Sequence, residues 1–314
     1  MLLAKTITFK VLFSVVIASN LVGNSMVISV VALHRRMQTP MNCLLANLAL
    51  ADLFIGLFLI PNLVSDSFTH PGGTVGDILC KTLTNGNITY LATMASILTL
   101  MFTAWERYYA VMHPYSSRGR INAKKFRLLV AATWVTAFSL ESISFGIVNF
   151  DERKKSCFYD WSASLWKADV ILWCIVLGLV PLGIEASLYS RVVHRLWGKN
   201  VQTTEVSQRS LMLRRKRMTK LVLTITIVNI LLCFPIEIYY FVECFAGKSV
   251  AVNAGTWAPV FNAVAHLVLV SNAALNPVIY AAQDRSFRRH MWRFLKNGCR
   301  RRRKVGNTNV VEST

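Results

Sequence analysis

Asp52 has the most to explain, because it is a carboxylate in the middle of the apolar run Leu48-Ala49-Leu50-Ala51-Asp52-Leu53, with no basic residue in the same run. Inside hydrocarbon such a group costs at least about 2.5 kcal/mol, so it needs a partner or a purpose. Asn24, Ser96, Asn272 and Asn276 also fall within apolar runs and can converge on it, enclosing water, a proton or a small cation such as sodium. Hydrogen-bonded glue between helices, at about 0.6 kcal/mol per contact, is the plainer use of the same residues. Glu106-Arg107 closes another apolar run. An arginine at such a place ordinarily reaches for lipid headgroups, but an adjacent glutamate can hold the guanidinium in one state and release it in another. There is no His-Glu-x-x-His pattern and the histidines are scattered, which argues against a metallohydrolase centre.

The elements that position these residues follow from composition. With 54% hydrophobic and only 16% charged residues, the chain is too apolar for ordinary soluble domains. A membrane-crossing helix needs roughly 20 mostly apolar residues. Seven stretches qualify: Ile7 to Leu33, Asn42 to Val64, Thr84 to Val111, Leu128 to Phe150, Ala168 to Val192, Met218 to Phe245 and Gly255 to Ala282, numbered below as helices 1 to 7. The connections, including Arg35 to Pro40 and the turn Pro71-Gly72-Gly73, leave no room for an inserted soluble domain. The expected class is an all-α seven-helix membrane bundle over residues 1–282, an amphipathic helix over 283–298 and a basic tail over 299–314. Lys5 and Lys10 ahead of the first apolar run give it some look of a signal peptide. At 27 residues it is longer than a signal core, and its removal would leave six spans.

Lys and Arg collect on the cytoplasmic side of short loops. With the N-terminus outside, the inner segments hold 27 of the 35 Lys and Arg residues. That bias accounts for the net charge of +20 without nucleic acid, the basic faces meeting anionic lipid. Cys80 and Cys157 both fall on the outer, oxidising side, one at the start of helix 3 and one between helices 4 and 5, so a disulfide between them is expected. Cys43, Cys174, Cys233 and Cys244 read as small packing residues. Pro61, Pro181, Pro235 and Pro277 fall within helices 2, 5, 6 and 7, where proline removes a hydrogen bond and bends the helix. After helix 7, Phe287, Met291, Phe294 and Leu295 recur at helical spacing opposite Arg288, Arg289 and Arg293, the pattern of a helix lying on the inner leaflet. Cys299 follows as a lipidation candidate.

Taken in order, these residues resemble the rhodopsin-like G-protein-coupled receptor family from about Leu12 to Phe294. The resemblance rests on Gly23-Asn24, on Leu45 to Asp52, on Glu106-Arg107-Tyr108 and on Trp134. It continues through Pro181 with Tyr189, Cys233-Phe234-Pro235, and Asn276-Pro277-Val278-Ile279-Tyr280. It implies a cell-membrane receptor, not an enzyme, in which an extracellular peptide or small molecule binds among the outer helix halves. Helix 6 then swings outward and a heterotrimeric G protein, and in turn arrestin, engages beneath Arg107. It further implies a sodium pocket at Asp52, Ser96, Asn272 and Asn276, and movement of Tyr189 and Tyr280 towards Arg107. A binding receptor that does not signal is the nearer rival. An ion- or proton-coupled transporter using Asp52, Glu141 and Glu185 is the more distant one, and the chain shows no internal repeat.

The chain departs from the family in three places. Helix 6 has no tryptophan beside Pro235 and leaves Phe234 as its nearest aromatic. Arg214 to Arg217 supply only positive charge where some relatives keep an acidic partner for the helix 3 arginine, so high basal activity is expected. Cys80 precedes Arg107 by 27 residues, two more than usual, which places an insertion near Thr84 to Asn87. Asn85 to Ser96 contains no aspartate for an amine ligand, and helix 7 has no lysine for a retinal Schiff base. Tyr90, Thr93, Glu141, Asp169, Trp173, Glu237, Tyr240, Glu243, Asn262 and His266 are the candidates for a pocket, and their aromatic and acidic character suits a basic peptide. Interfacial aromatics and solvated carboxylates are the plainer reading of the same set.

Overall fold

The computed structural model describes residues 2–64, 70–114, 116, 121–160, 162–198, 206–245, 257–294 and 296. Helix 1 is Leu2–Leu33, helix 2 Pro40–Val64, helix 4 Ala123–Ile147, helix 6 Val206–Phe245 and helix 7 Trp257–Gln283. Helix 3 is three pieces in line, Gly73–Leu79, a π-helical Cys80–Thr84 and Asn87–Met112. Helix 5 is likewise Ala163–Trp173, a π-helical Cys174–Leu179 and Val180–Trp197. All seven are long and apolar enough to cross a membrane. Their outward faces keep large apolar side chains such as Leu128, Val135, Leu179, Leu231 and Val278 exposed, a surface that only lipid covers without penalty. The chain is therefore a multi-pass membrane protein.

Several boundaries differ from the sequence expectation, and three of them bear on the site. Helix 3 begins at Gly73 rather than Thr84, and the two surplus residues are absorbed by the π turn and a break at Asn85-Gly86. Gly86 has φ +86, a conformation that costs a residue with a Cβ. Helix 4 stops at Ile147 rather than Phe150, because Val148–Asp151 pairs as β1 with β2, Ser156–Tyr159, in an antiparallel hairpin. Helix 6 starts at Val206 rather than Met218, so its basic run is helical.

The hairpin lies across the end of helix 3. The Cys80–Cys157 disulfide ties it there, and the Phe150 N–H donates to Asp77 Oδ1 at 2.8 Å. His70 stacks on Phe150 at 4.5 Å, and its Nε2 is 3.2 Å from Thr84 Oγ1. Within the turn, the backbone N–H groups of Lys154 and Arg153 hold the Asp151 carboxyl below its ordinary range. The surplus residues of helix 3 therefore do not loosen its end, because the hairpin and His70 pin them.

Helix 3 is the axis of the bundle, with Ala92 to Leu100 buried without interruption. Helices 1 and 7 meet at a close seam, where a Cβ on Gly23 would stand 2.9 Å from Pro277 Cγ. Pro277 has no N–H, which deprives the Ala273 carbonyl of its helical donor. Asn24 Nδ2 takes that place at 3.0 Å. Beyond helix 7, residues 285–294 form a further helix. Asp284 Oδ1 caps it by accepting from Ser286 and Phe287 N–H at 2.7 and 3.3 Å, while Arg288 donates back to the Ala281 carbonyl at 3.2 Å. Phe287 is buried and Met291 packs against the same core, with the Arg288, Arg289 and Arg293 side chains outward as the periodicity required. Leu295 and Cys299 lie outside the described residues.

Removing the donor that serves the Ala273 carbonyl leaves a buried acceptor unsatisfied, so Asn24→Ala should cost about 1–3 kcal/mol. Thermal melts of the purified protein in detergent check this, and an unchanged melting temperature would contradict it.

Candidate functional site

A cavity of about 600 Å³ opens at the disulfide end of the bundle. Helix 3 brings Tyr90 and Thr93 to its wall, helix 4 Glu141, helix 5 Asp169 and Trp173, helix 6 Glu237, Tyr240 and Glu243, and helix 7 Asn262. His266, the remaining expected residue, stands behind the wall and bonds to it: its Nε2 is 3.1 Å from the Tyr90 hydroxyl and 3.4 Å from that of Tyr240. The two hydroxyls are themselves 3.1 Å apart. His266 Nδ1 lies 2.9 Å from the Asn262 carbonyl, which only accepts, so Nδ1 carries the proton. In the neutral ring Nε2 is then an acceptor for a tyrosine hydroxyl. The result is a clasp joining helices 3, 6 and 7 beneath the opening. Tyr159 of β2 also lines the cavity and donates to Asn87 Oδ1 at 3.0 Å. Burial first, and then the Glu141 charge, hold its phenol well above its ordinary range.

Below the cavity is a polar centre. Ser96 Oγ donates to Asp52 Oδ1 at 3.2 Å, and Asn276 Nδ2 to Asp52 Oδ2 at 2.7 Å. Helices 2, 3 and 7 are thereby joined at a group only 1% exposed. The other two expected members do not bond to Asp52. Asn24 serves Ala273 and the Asn20 carbonyl, while Asn272 Nδ2 faces Cys233 Sγ at 4.0 Å. The Oδ1 atoms of Asn24, Asn272 and Asn276 are buried without a partner, so carbonyl oxygens remain to spare at this level. Nearby, Asn47 Nδ2 donates to Thr99 Oγ1 at 2.8 Å, and its oxygen accepts from Trp134 Nε1 at 3.2 Å, linking helices 2, 3 and 4.

Towards the opposite end the polar centre gives way to an apolar layer. Leu45, Leu48, Leu100, Ala104, Leu221, Val222 and Ile225 pack there with Tyr189 and Tyr280. Beneath the layer Arg107, 7% exposed, is ion-paired with Glu106. Among the described residues it has no acidic partner on helix 6. Helix 6 is held instead by neutral contacts, Tyr189 Oη to Thr226 Oγ1 at 3.4 Å and Gln283 Nε2 to Thr224 Oγ1 at 3.0 Å. Tyr280 Oη is buried without a partner, 2% of the residue being exposed. Tyr108 packs beside Val111, Val192 and Leu196, next to the arginine.

Helix 6 needs one correction. Phe234 is 62% exposed on the outward face and touches neither the cavity nor the polar centre. Cys233, two residues before Pro235, lines the cavity floor and meets Asn272. Counted back from the proline, Cys233 rather than Phe234 occupies the inward place. Sequence reasoning also passed over Asn47, Thr99 and the Tyr90–Tyr240–His266 clasp. The first two carried a signal as polar residues on the same helical faces as Asp52 and Ser96. The clasp joins residues up to 176 apart and carried none.

A model of the seven-transmembrane receptors of the rhodopsin family matches residues 23–280, and the chain belongs to that family. Its members are receptors rather than enzymes. The chain is 27% identical over 93% of its length to a QRFP-like peptide receptor of Branchiostoma floridae, covering 78% of that protein. It is 29% identical to an allatostatin-A receptor of Bombyx mori, with 85% of this chain and 74% of that one aligned. Against galanin receptor 2a of Danio rerio the identity is 27%, over 96% and 81% of the two chains.

If the clasp holds helices 3 and 7 together, Tyr90→Phe and His266→Phe should not be additive in thermal melts. A double-mutant cycle is expected to give a coupling of about 0.5–1.5 kcal/mol, and strictly additive losses would contradict the contact.

Proposed function

We propose that this chain is a cell-surface peptide receptor that passes occupancy of its outer cavity to a heterotrimeric G protein. The observation carrying the reading is the stacking along one axis of an open cavity, a polar centre and a closed apolar layer over Arg107. The orientation rests on the basic bias of the Arg107 end and on a disulfide that belongs in an oxidising compartment, putting the N-terminus outside and the C-terminus in the cytoplasm. The ligand class rests on the similarity to the QRFP-like peptide receptor and to the allatostatin-A and galanin receptors, and on a wall of aromatic and acidic side chains.

A ligand shifts such a bundle only by binding one packing better than the other. Bound at the Tyr90–Tyr240–His266 clasp, it acts on helices 3, 6 and 7 together. Outward movement of helix 6 breaks the weak Tyr189–Thr226 and Gln283–Thr224 contacts, separates the apolar layer and frees Arg107 from Glu106. Tyr189 and Tyr280, whose hydroxyls reach the same layer, then turn towards the guanidinium. Pro235 and Pro277 supply the bends about which helices 6 and 7 move. The exposed inner face receives the G protein and afterwards arrestin, while Arg288, Arg289 and Arg293 rest on acidic lipid.

Asp52 with Ser96, Asn276 and the spare amide oxygens of Asn24 and Asn272 suits a hard cation such as sodium, which takes oxygen ligands. Asp52 would hold such an ion, whose positive charge would offset that of the buried carboxylate and favour the closed packing. A receptor that binds without signalling is the second reading, and Cys233 in place of an inward aromatic is what favours it.

Three outcomes test the proposal. Ligand-free signalling through a promiscuous G protein should stand clearly above that of Arg107→Ala at equal surface expression, because among the described residues no acidic group on helix 6 restrains the arginine; no difference would remove the claim of basal activity. A screen of secreted peptides should give stimulation that Arg107→Ala reduces by about tenfold or more, whereas binding without any G-protein response would favour the second reading. Sodium chloride in place of choline chloride should raise the melting temperature of the wild type but not of Asp52→Asn, and an equal effect on both would exclude the cation site.

A further inference from the structure

The four carboxylates of the outer cavity are not equivalent. Glu243 is exposed at the rim, and Glu237 already meets the Cys174 thiol at 3.7 Å. Glu141 is different: it is 1% exposed, and its Oε2 is buried with no hydrogen-bond partner among the described residues. Asp169 of helix 5 lines the same space and likewise has a buried oxygen, Oδ1, without a hydrogen-bond partner among the described residues. Two hydroxyl donors on the adjoining wall are committed elsewhere, Tyr159 to Asn87 and Tyr90 within the clasp with Tyr240 and His266. Among the described residues that line the cavity there is no Lys or Arg. Burying two acceptor oxygens of like-charged groups without donors is costly in the free protein, and the cost is removed when a cation with several N–H donors arrives.

We propose that Glu141 and Asp169 form the docking site for a guanidinium group of the ligand. The inference rests on the reading of the cavity as the ligand site and names the chemistry that site selects. A guanidinium carries five donors in a planar fork, enough to serve oxygens presented from two helices at once. Tyr90 and Trp173, in edge-to-face contact at 5.8 Å, supply aromatic faces beside it, which favour a planar cation. The buried glutamate on helix 4 is the specificity element, since a neutral group of equal shape leaves its oxygen unserved.

The test uses the full chain in lipid nanodiscs with two defined probes, 4-phenylbutylguanidinium and its neutral isostere 4-phenylbutylurea, titrated by saturation-transfer NMR. No G protein is present, so failure of signalling and failure of this site are read separately. The wild type is expected to bind the guanidinium about tenfold or more tightly than the urea. Glu141→Gln, which keeps the shape, should bring the two probes to within about twofold of each other. Asp169→Asn, at a half-buried position, should reduce the preference as well and serves as the deciding variant if Glu141→Gln does not fold. Equal binding of the two probes to the wild type, or no measurable binding of either, overturns the assignment. So does a preference undiminished in the folded variants.

Discussion

A hydrocarbon interior offers no water, so every polar group that a helix carries inward must be met by another helix or by a bound ion. Asp52 makes that demand most strongly. Its hydrogen bonds to Ser96 and Asn276 fix helices 2, 3 and 7 about one point, and the seam of helices 1 and 7 is set beside it by Asn24 on the Ala273 carbonyl. The same residue types recur above and below that level in different company. Above it they border an open cavity, and below it Tyr189 and Tyr280 are enclosed by aliphatic side chains. The bundle is thus stratified along its axis by the way in which polarity is satisfied.

Stratification makes a two-position device reasonable. A close-packed apolar layer has few intermediate arrangements, and its polar ties to helix 6 are single neutral contacts that cost little to break. The irregular turns lie where give is needed. Helix 5 widens into a π turn ahead of Pro181, and helix 3 does so beneath the hairpin, with Gly86 completing the break. The disulfide and the His70–Phe150 stack keep the second of these from loosening the cavity wall.

Much of this was legible in the sequence because the membrane makes polar residues conspicuous. Seven apolar runs, the position of Asp52, the two outer cysteines and the Phe287–Met291 spacing each have one economical explanation. All ten residues proposed for the pocket meet at one cavity or bond to its wall, because they lie in the outer halves of adjacent helices. Partner choice within that set was not legible. Asn272 and Asp52 share a level, but whether they touch depends on rotations of a few tens of degrees that a side-chain period cannot resolve. Phe234 shows the same limit: its neighbour Cys233 faces inward, and one residue of helix turns a side chain by roughly 100 degrees. The longer start of helix 3 and the β hairpin were hidden for another reason, because short apolar segments beside a helix do not announce whether they extend it or leave it.

In the proposed mechanism the closed layer over Arg107 opens by displacement of helix 6. Spin labels at Leu128 on helix 4 and Leu213 on helix 6, both exposed near the Arg107 end, report that displacement directly as a distance distribution. Adding a nucleotide-free G protein to the labelled receptor in nanodiscs should produce a second, longer population that Arg107→Ala suppresses. A single distribution unchanged by the G protein would contradict the account.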